Sequence, residues 1–190
     1  MLGKGRGWDK INDRIPKMTE DDEIWGVNDA FLRTPEVAKT FHIHDMEDFL
    51  EQEKTHSSTK LTMLRGKEIP EMEFFCTYDW DKMPNAKKYP LEEVVDYFKV
   101  CYFGCTPDYM MAYALMKGVK EIFFYGLNMA VKEEYVFEKP SLEFWIGMAK
   151  GMGVKVHLQH EHTSLLKTRS GLIYGFLIDQ WRADEEEADD

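Results

Sequence analysis

Several groups of residues carry side chains able to do chemistry. The sharpest is His42-Ile-His44-Asp45. On a strand, His42 and His44 share a face. Together with Asp45 they have the makings of a metal site in a hydrolase. The plainer reading is that one histidine packs in the sheet while the other caps an element or touches a ligand. Gly3-Lys-Gly-Arg-Gly7 is a second group. Glycine lets backbone N–H groups approach an anion closely, although glycines in a flexible leader fit the spacing equally well. Glu133-Glu134-Tyr135 is a third: Tyr135 suits stacking on a base, and Glu134 suits ribose hydroxyls or proton abstraction. Against that stands a surface loop with one aromatic anchor. His157, His160 and His162 read as a solvated group, and Ser164 as a phosphate contact or a cap. Cys101 and Cys105 read as small apolar residues, because no second cysteine pair completes a zinc site. No Gly-x-Ser-x-Gly elbow and no phosphate loop ending in Gly-Lys-Ser/Thr occurs, which removes the common hydrolase and kinase readings.

These residues need elements to position them, and the apolar pattern supplies an alternating series. Glu23–Asn28 reads as a strand, Thr34-Pro-Glu as the opening of a short helix, and Thr40–His44 as the next strand. Asp45 caps a helix to about Gln52, and residues 53–72 form a polar insertion. A strand at Glu73–Thr77 precedes a turn at Pro84-Asn85. Then come a helix at Pro90–Phe98, a helix capped by Thr106 with Pro107 in its first turn and stopped by Gly118, and a strand at Glu121–Tyr125. The last elements are a helix at Pro140–Lys150, in which Phe144 and Trp145 sit at core spacing, and a strand at Val154–Leu158. Alternation with tight connections specifies an α/β fold: a Rossmann-like three-layer sandwich with a mostly parallel sheet. Ligands of such sheets bind outside the carboxyl ends of the strands. That rule points to Asn28, His44, Asp45, Thr77, Thr106, Gly126 and Asn128.

Bulk composition bounds the function. Apolar residues make up 44% and charged residues 31%, an ordinary globular mixture. The net charge is −11, and six of the last seven residues are acidic. Residues 183–190 are therefore expected to be a disordered acidic tail, and residues 1–182 one domain. The body without the tail is still acidic, which disfavours nucleic acid as a partner. No apolar run is long enough to span a bilayer, and the first residues lack an apolar signal core. The expectation is a cytoplasmic protein that binds no membrane, with a homo-oligomer left open.

Longer stretches carry a resemblance. They include Ile24-Trp-Gly-Val-Asn28, Phe41-His-Ile-His-Asp45, Tyr125-Gly-Leu-Asn-Met129 and Glu143-Phe-Trp-Ile-Gly-Met-Ala149. Over Gly3 to Phe176 the chain resembles small Rossmann-type, glycosyltransferase-like proteins of bacteriophages. More distantly it is similar to bacterial sialyltransferases that use cytidine-monophospho-sialic acid. The resemblance implies that Gly3, Gly5, Gly7, Asn28, Thr106, Gly126, Asn128 and Tyr135 surround a nucleotide or nucleotide-sugar, bound as ligand with no separate cofactor. It also implies a bacterial host cytoplasm. The chain departs from that family at two places. Trp145-Ile-Gly-Met148 stands where the family has Tyr-Ile-Gly-His, so the base histidine is replaced by Met148, which cannot accept a proton. Asn128 stands where the family has an acid. Any transfer reaction would need His44, Asp45 or Glu134 as its base. Two other readings follow: non-catalytic sequestration of a small nucleotide signal, as in counter-defence, and metal-dependent phosphohydrolysis through His42, His44 and Asp45.

Overall fold

The computed structural model describes residues 1–44, 68–78, 85–131, 134–168 and 170–179, with only the backbone of Tyr135. The expected helix from Asp45, most of the insertion at 53–72, Pro84 and the acidic tail lie outside these residues. The sheet is built from β1 (Ile24–Val27), β2 (Val37–Phe41), β3 (Glu73–Cys76) and β4 (Ala86–Lys88), side by side in that order and all parallel. A second pair, β5 (Glu121–Phe123) and β6 (Lys155–His157), is also parallel. Leu2 joins the two sets, bridging Gly26 on one side and Tyr125 on the other, both in parallel. Leu2 N–H donates to the Trp25 carbonyl at 2.8 Å, and Val27 N–H returns to the Leu2 carbonyl at 2.9 Å. Tyr125 N–H donates to the Met1 carbonyl at 2.9 Å, and Gly3 N–H donates to the Tyr125 carbonyl at 2.7 Å. Met1–Leu2 is thus the central strand, and the fold is α/β with a parallel sheet.

The α-helices among the described residues are α1 (Ile11–Arg14), α2 (Leu91–Phe98), α3 (Thr106–Met116) and α4 (Lys139–Gly151). On one face α2, α3 and α4 enclose the larger core with Trp25, Val27, Phe41 and Phe75. On the other, α1 and short helical turns cover Leu2, Ile24, Val37, Met72 and Phe74. Val37 and Phe41 share parity yet belong to opposite faces. The pairing shifts between Ile24–Val37 and Trp25–Lys39, so Ala38 is the extra residue of a bulge, and the bulge reverses the side-chain alternation. Helix α3 is buried on nearly every residue, as befits the helix at the centre of its layer.

Sequence and structure differ at four places. No helix opens at Thr34. The residue before a proline is pushed towards extended backbone, Thr34 is buried with its hydroxyl on the Glu36 carboxylate, and the helical turn lies earlier, at Ala30–Leu32. The second strand starts at Val37 rather than Thr40, so His42 and His44 follow it instead of ending it. Strand β4 was not expected, because Ala-Lys-Lys is polar and half-exposed, as an edge strand is. Cys105 caps α3, with Thr106 and Pro107 as its first two residues.

The glycine start is packed rather than loose. A Cβ on Gly3 would lie 2.4 Å from the Gly126 carbonyl oxygen, and one on Gly5 would lie 1.7 Å from Asn128 Oδ1. Gly147, inside α4, has open space at the same position. Gly3→Ala is expected to destabilise the fold by about 1–3 kcal/mol, because the obstructing atom is backbone. Gly147→Ala should stabilise it by about 0.5–1 kcal/mol. Denaturant unfolding of the two variants beside the parent checks both signs.

Candidate functional site

The central strand creates a topological switch. From Leu2 the chain moves to β1 on one side, and it later returns to β5 on the other. A crevice opens at the carboxyl ends of strands where such a reversal occurs. Here a cavity of about 370 Å³ occupies that place. Gly3, Lys4 and Gly5 form one wall, and Asn28, Ile43 and His44 a second. Gly104–Pro107 at the start of α3 form a third, and Gly126–Met129 a fourth. Glu134 and Glu138 stand at the rim.

Loop positions are fixed by side chains from the segments that follow β5 and β6. Gln159 Nε2 donates to the Gly7 carbonyl at 2.9 Å, and its Oε1 accepts from Gly126 N–H at 3.1 Å. Asn128 Nδ2 donates to the carbonyls of Arg6 at 3.2 Å and His162 at 2.6 Å. Thr163 Oγ1 donates to the Leu127 carbonyl at 2.9 Å, and the Ser164 hydroxyl to that of Met129. Both amide hydrogens of Asn128 are therefore committed to holding loops together. Ser164 is likewise an anchor within the fold.

Asn28 has a left-handed backbone, φ 54°. Its N–H donates to the Phe41 carbonyl at 2.8 Å, and its carbonyl accepts from the buried Thr40 hydroxyl at 2.8 Å. Its Oδ1 lies 3.1 Å from His44 Nε2. Asn28 Oδ1 is an acceptor, so Nε2 is the donor in this contact. His44 is exposed at the rim, while the two ring nitrogens of His42 are shielded. Burial, then the neighbouring His44 and Lys4, pushes the His42 pKa down to about 3. Its ring stacks on Phe74, with centroids 5.8 Å apart, and meets His44 edge-on at 4.6 Å. The two histidines are neighbours but differ in role: one is a neutral packing group, the other faces solvent. No group of three or more His, Cys, Asp or Glu side chains among the described residues is placed to hold a metal ion.

The start of α3 has its own anion. Asp108 is fully buried, and its Oδ2 accepts from Gly104 N–H at 2.6 Å and Cys105 N–H at 3.1 Å. Burial raises its pKa despite these bonds. Pro107 has no N–H, so the donor left at this helix start is Thr106. Cys105 Sγ lies 3.2 Å from Asp108 Oδ1, and burial followed by that carboxylate pushes the thiol pKa up. Lys4, the cation of the glycine wall, pairs with Asp29 at 2.6 Å.

The cavity thus brings together Gly3, Gly5, Asn28, His44, Thr106, Gly126, Asn128 and Glu134. Gly7 stands behind it, with φ 80° and its carbonyl held by Gln159. Asp45 and the Tyr135 side chain lie outside the described residues. Met148 packs against the core and does not line the cavity. Sequence reasoning missed Glu138, which shares the rim with Glu134 four residues earlier, and Gln159. The i, i+4 spacing was a usable signal for Glu138; nothing local marked Gln159. His157 sits apart, paired with Glu121 at 2.8 Å. No family model, curated protein or solved structure matches the chain.

Two measurements check this description. A histidine kept neutral in the folded state costs stability as pH falls. The effect is nil above the ordinary pKa of 6.5, where both states are neutral, and grows towards the folded value of about 3. His42→Phe, which preserves the ring stack, is expected to flatten the fall in Tm between pH 6.5 and about 5, a window above most carboxylate titrations. Brief alkylation at neutral pH should modify exposed Cys101 and spare buried Cys76 and half-buried Cys105, as read by peptide mass.

Proposed function

We propose that the cavity binds a small phosphorylated ligand of the nucleotide or nucleotide-sugar class. The observation that carries this reading is a set of backbone donors. Lys4, Thr106, Leu127 and Met129 all line the cavity, and their N–H groups meet no acceptor among the described residues. A polar cleft that leaves several amides unpaired favours an anion or strong acceptor, because a buried unpaired donor is costly. Glu134 and Glu138 at the rim suit the hydroxyls of a sugar, which donate to carboxylates. The volume lies near the lower end of the range of about 300–1,000 Å³ for small-molecule sites, which fits a mononucleotide better than a dinucleotide.

Two forms of this function remain distinct. In a glycosyltransferase-like reaction, His44 Nδ1 or Glu134 would take the acceptor's proton, and Asp45 is the third candidate. In sequestration the ligand is held and released unchanged. The second form is favoured by Met148, which packs with the core and leaves His44 as the one histidine on the cavity wall among the described residues.

A thermal-shift series with nucleoside monophosphates, diphosphates and sugar nucleotides tests binding. At about a hundred times Kd a ligand adds about 2.7 kcal/mol to native stability. A rise in Tm is expected for at least one phosphorylated ligand and none for the matching nucleoside. Glu134→Gln should weaken sugar nucleotides more than nucleoside monophosphates. No rise with any phosphorylated compound defeats the proposal. Recovery of intact ligand after denaturation supports sequestration, whereas released free nucleotide supports transfer.

A further inference from the structure

Beyond the cavity, the segment from Gly171 to Asp179 forms a small antiparallel hairpin. Leu172 bridges Asp179, Ile173 N–H donates to the Ile178 carbonyl at 3.1 Å, and Phe176 N–H donates to the Ile173 carbonyl at 3.0 Å. Its side chains are almost all large and apolar, and they point into water. Tyr174 is 97% exposed, Leu177 96%, Phe176 64% and Ile178 52%, with Leu172 and Ile173 at about two-fifths. Residues of both parities are exposed, so among the described residues neither face of the hairpin is fully covered. An isolated two-stranded hairpin is marginal in water, and a third strand or a packed surface is needed to hold it.

We infer that this hairpin is an arm through which two copies of the chain associate. Six neighbouring apolar side chains are exposed together, two of them aromatics of about 150–250 Å² each, so the arm offers apolar area on the scale of a standard interface of about 800 Å² per partner. Reciprocal contact across a two-fold axis covers both faces of each arm, one against the partner's arm and the other against its body. Charge also selects a second copy over a lipid surface. Gly171 to Ile178 contains no charged residue, while the chain carries a net −11. Lys167, Arg169 and Arg182 flank the arm, but Asp179 and the six acidic residues from Asp184 onward outnumber them, so an anionic membrane repels this end of the chain. Two acidic chains repel each other, most of all through Asp179 and the acidic residues from Asp184 onward, while the stretch Gly171 to Ile178 adds no charge of its own. The association is apolar contact opposed by long-range repulsion, and added salt strengthens it by screening the repulsion.

Sedimentation or light scattering of the full chain across a concentration series tests this. The parent is expected to approach twice 22.4 kDa and to shift towards dimer as salt rises. The double variant Tyr174→Ser, Leu177→Ser should raise the dimer dissociation constant at least tenfold and keep the parent's circular dichroism. Phe137→Ser, at a 69% exposed apolar residue elsewhere, should leave the dimer intact. A parent that stays monomeric at the highest concentration, a double variant that still dimerises, or a dimer that salt dissociates would each overturn the inference. So would a monomer that floats with neutral phosphatidylcholine vesicles through the arm, which would make lipid the occupant.

Discussion

Everything in this fold hangs on two residues of backbone. Met1–Leu2 is hydrogen-bonded to β1 on one side and to Tyr125, the continuation of β5, on the other. Without that ladder the four-stranded and two-stranded sets would be separate sheets. The cost of inserting the chain there is met by close backbone approach, and glycine makes the approach feasible. Gly3 and Gly126 come together where neither has room for a side chain, and Gly126 adopts φ 65°. The same insertion places the reversal of strand order beside the glycine loop, and a parallel sheet opens its crevice at that reversal. Sheet continuity and cavity position are therefore one constraint seen twice.

Once the crevice exists, the chain spends many of its polar groups on holding it. Gln159, Asn128 and Thr163 tie three loops together, and the buried Thr40 hydroxyl holds the Asn28 carbonyl. Asp108 fills the anion site that the start of α3 would otherwise offer. A carboxylate at that position meets two N–H groups and the positive end of the helix dipole, which offset part of the cost of its burial. The consequence is that one familiar source of phosphate affinity is already consumed by the fold. On the proposed reading, what remains for a ligand is the set of amides without an acceptor among the described residues, at Lys4, at Thr106 and in the loop after β5.

Charge distribution around the crevice gives it two unlike ends. Lys4 offers a cation, tempered by Asp29, near the glycine wall. Glu134 and Glu138 form an acidic rim. A ligand with an anionic group and several hydroxyls satisfies both ends at once, whereas a simple dianion satisfies only one. Between them stands His44, with its Nε2 3.1 Å from Asn28 Oδ1.

Apolar alternation and helix-start chemistry in the sequence determined the class of fold, most of the elements and the strand-end positions that line the cavity. Local sequence carries that information because a strand must alternate and a helix must be capped. Tertiary structure alone decided the rest. The bulge at Ala38 sets the phase of β2, and β4 is a strand only because β3 offers it a partner. Gly3 and Gly5 proved to be packing requirements, since the atoms that crowd them come from Gly126 and Asn128, more than a hundred residues away. Asn128 and Gln159 became loop anchors for the same reason. The contrast between a buried neutral His42 and an exposed His44 depends on burial, on the mutual effect of the two rings, and on Asn28, Lys4 and Phe74, which are distant in sequence. Spacing can say that two histidines stand close; only the packed fold assigns one to the interior and the other to the site.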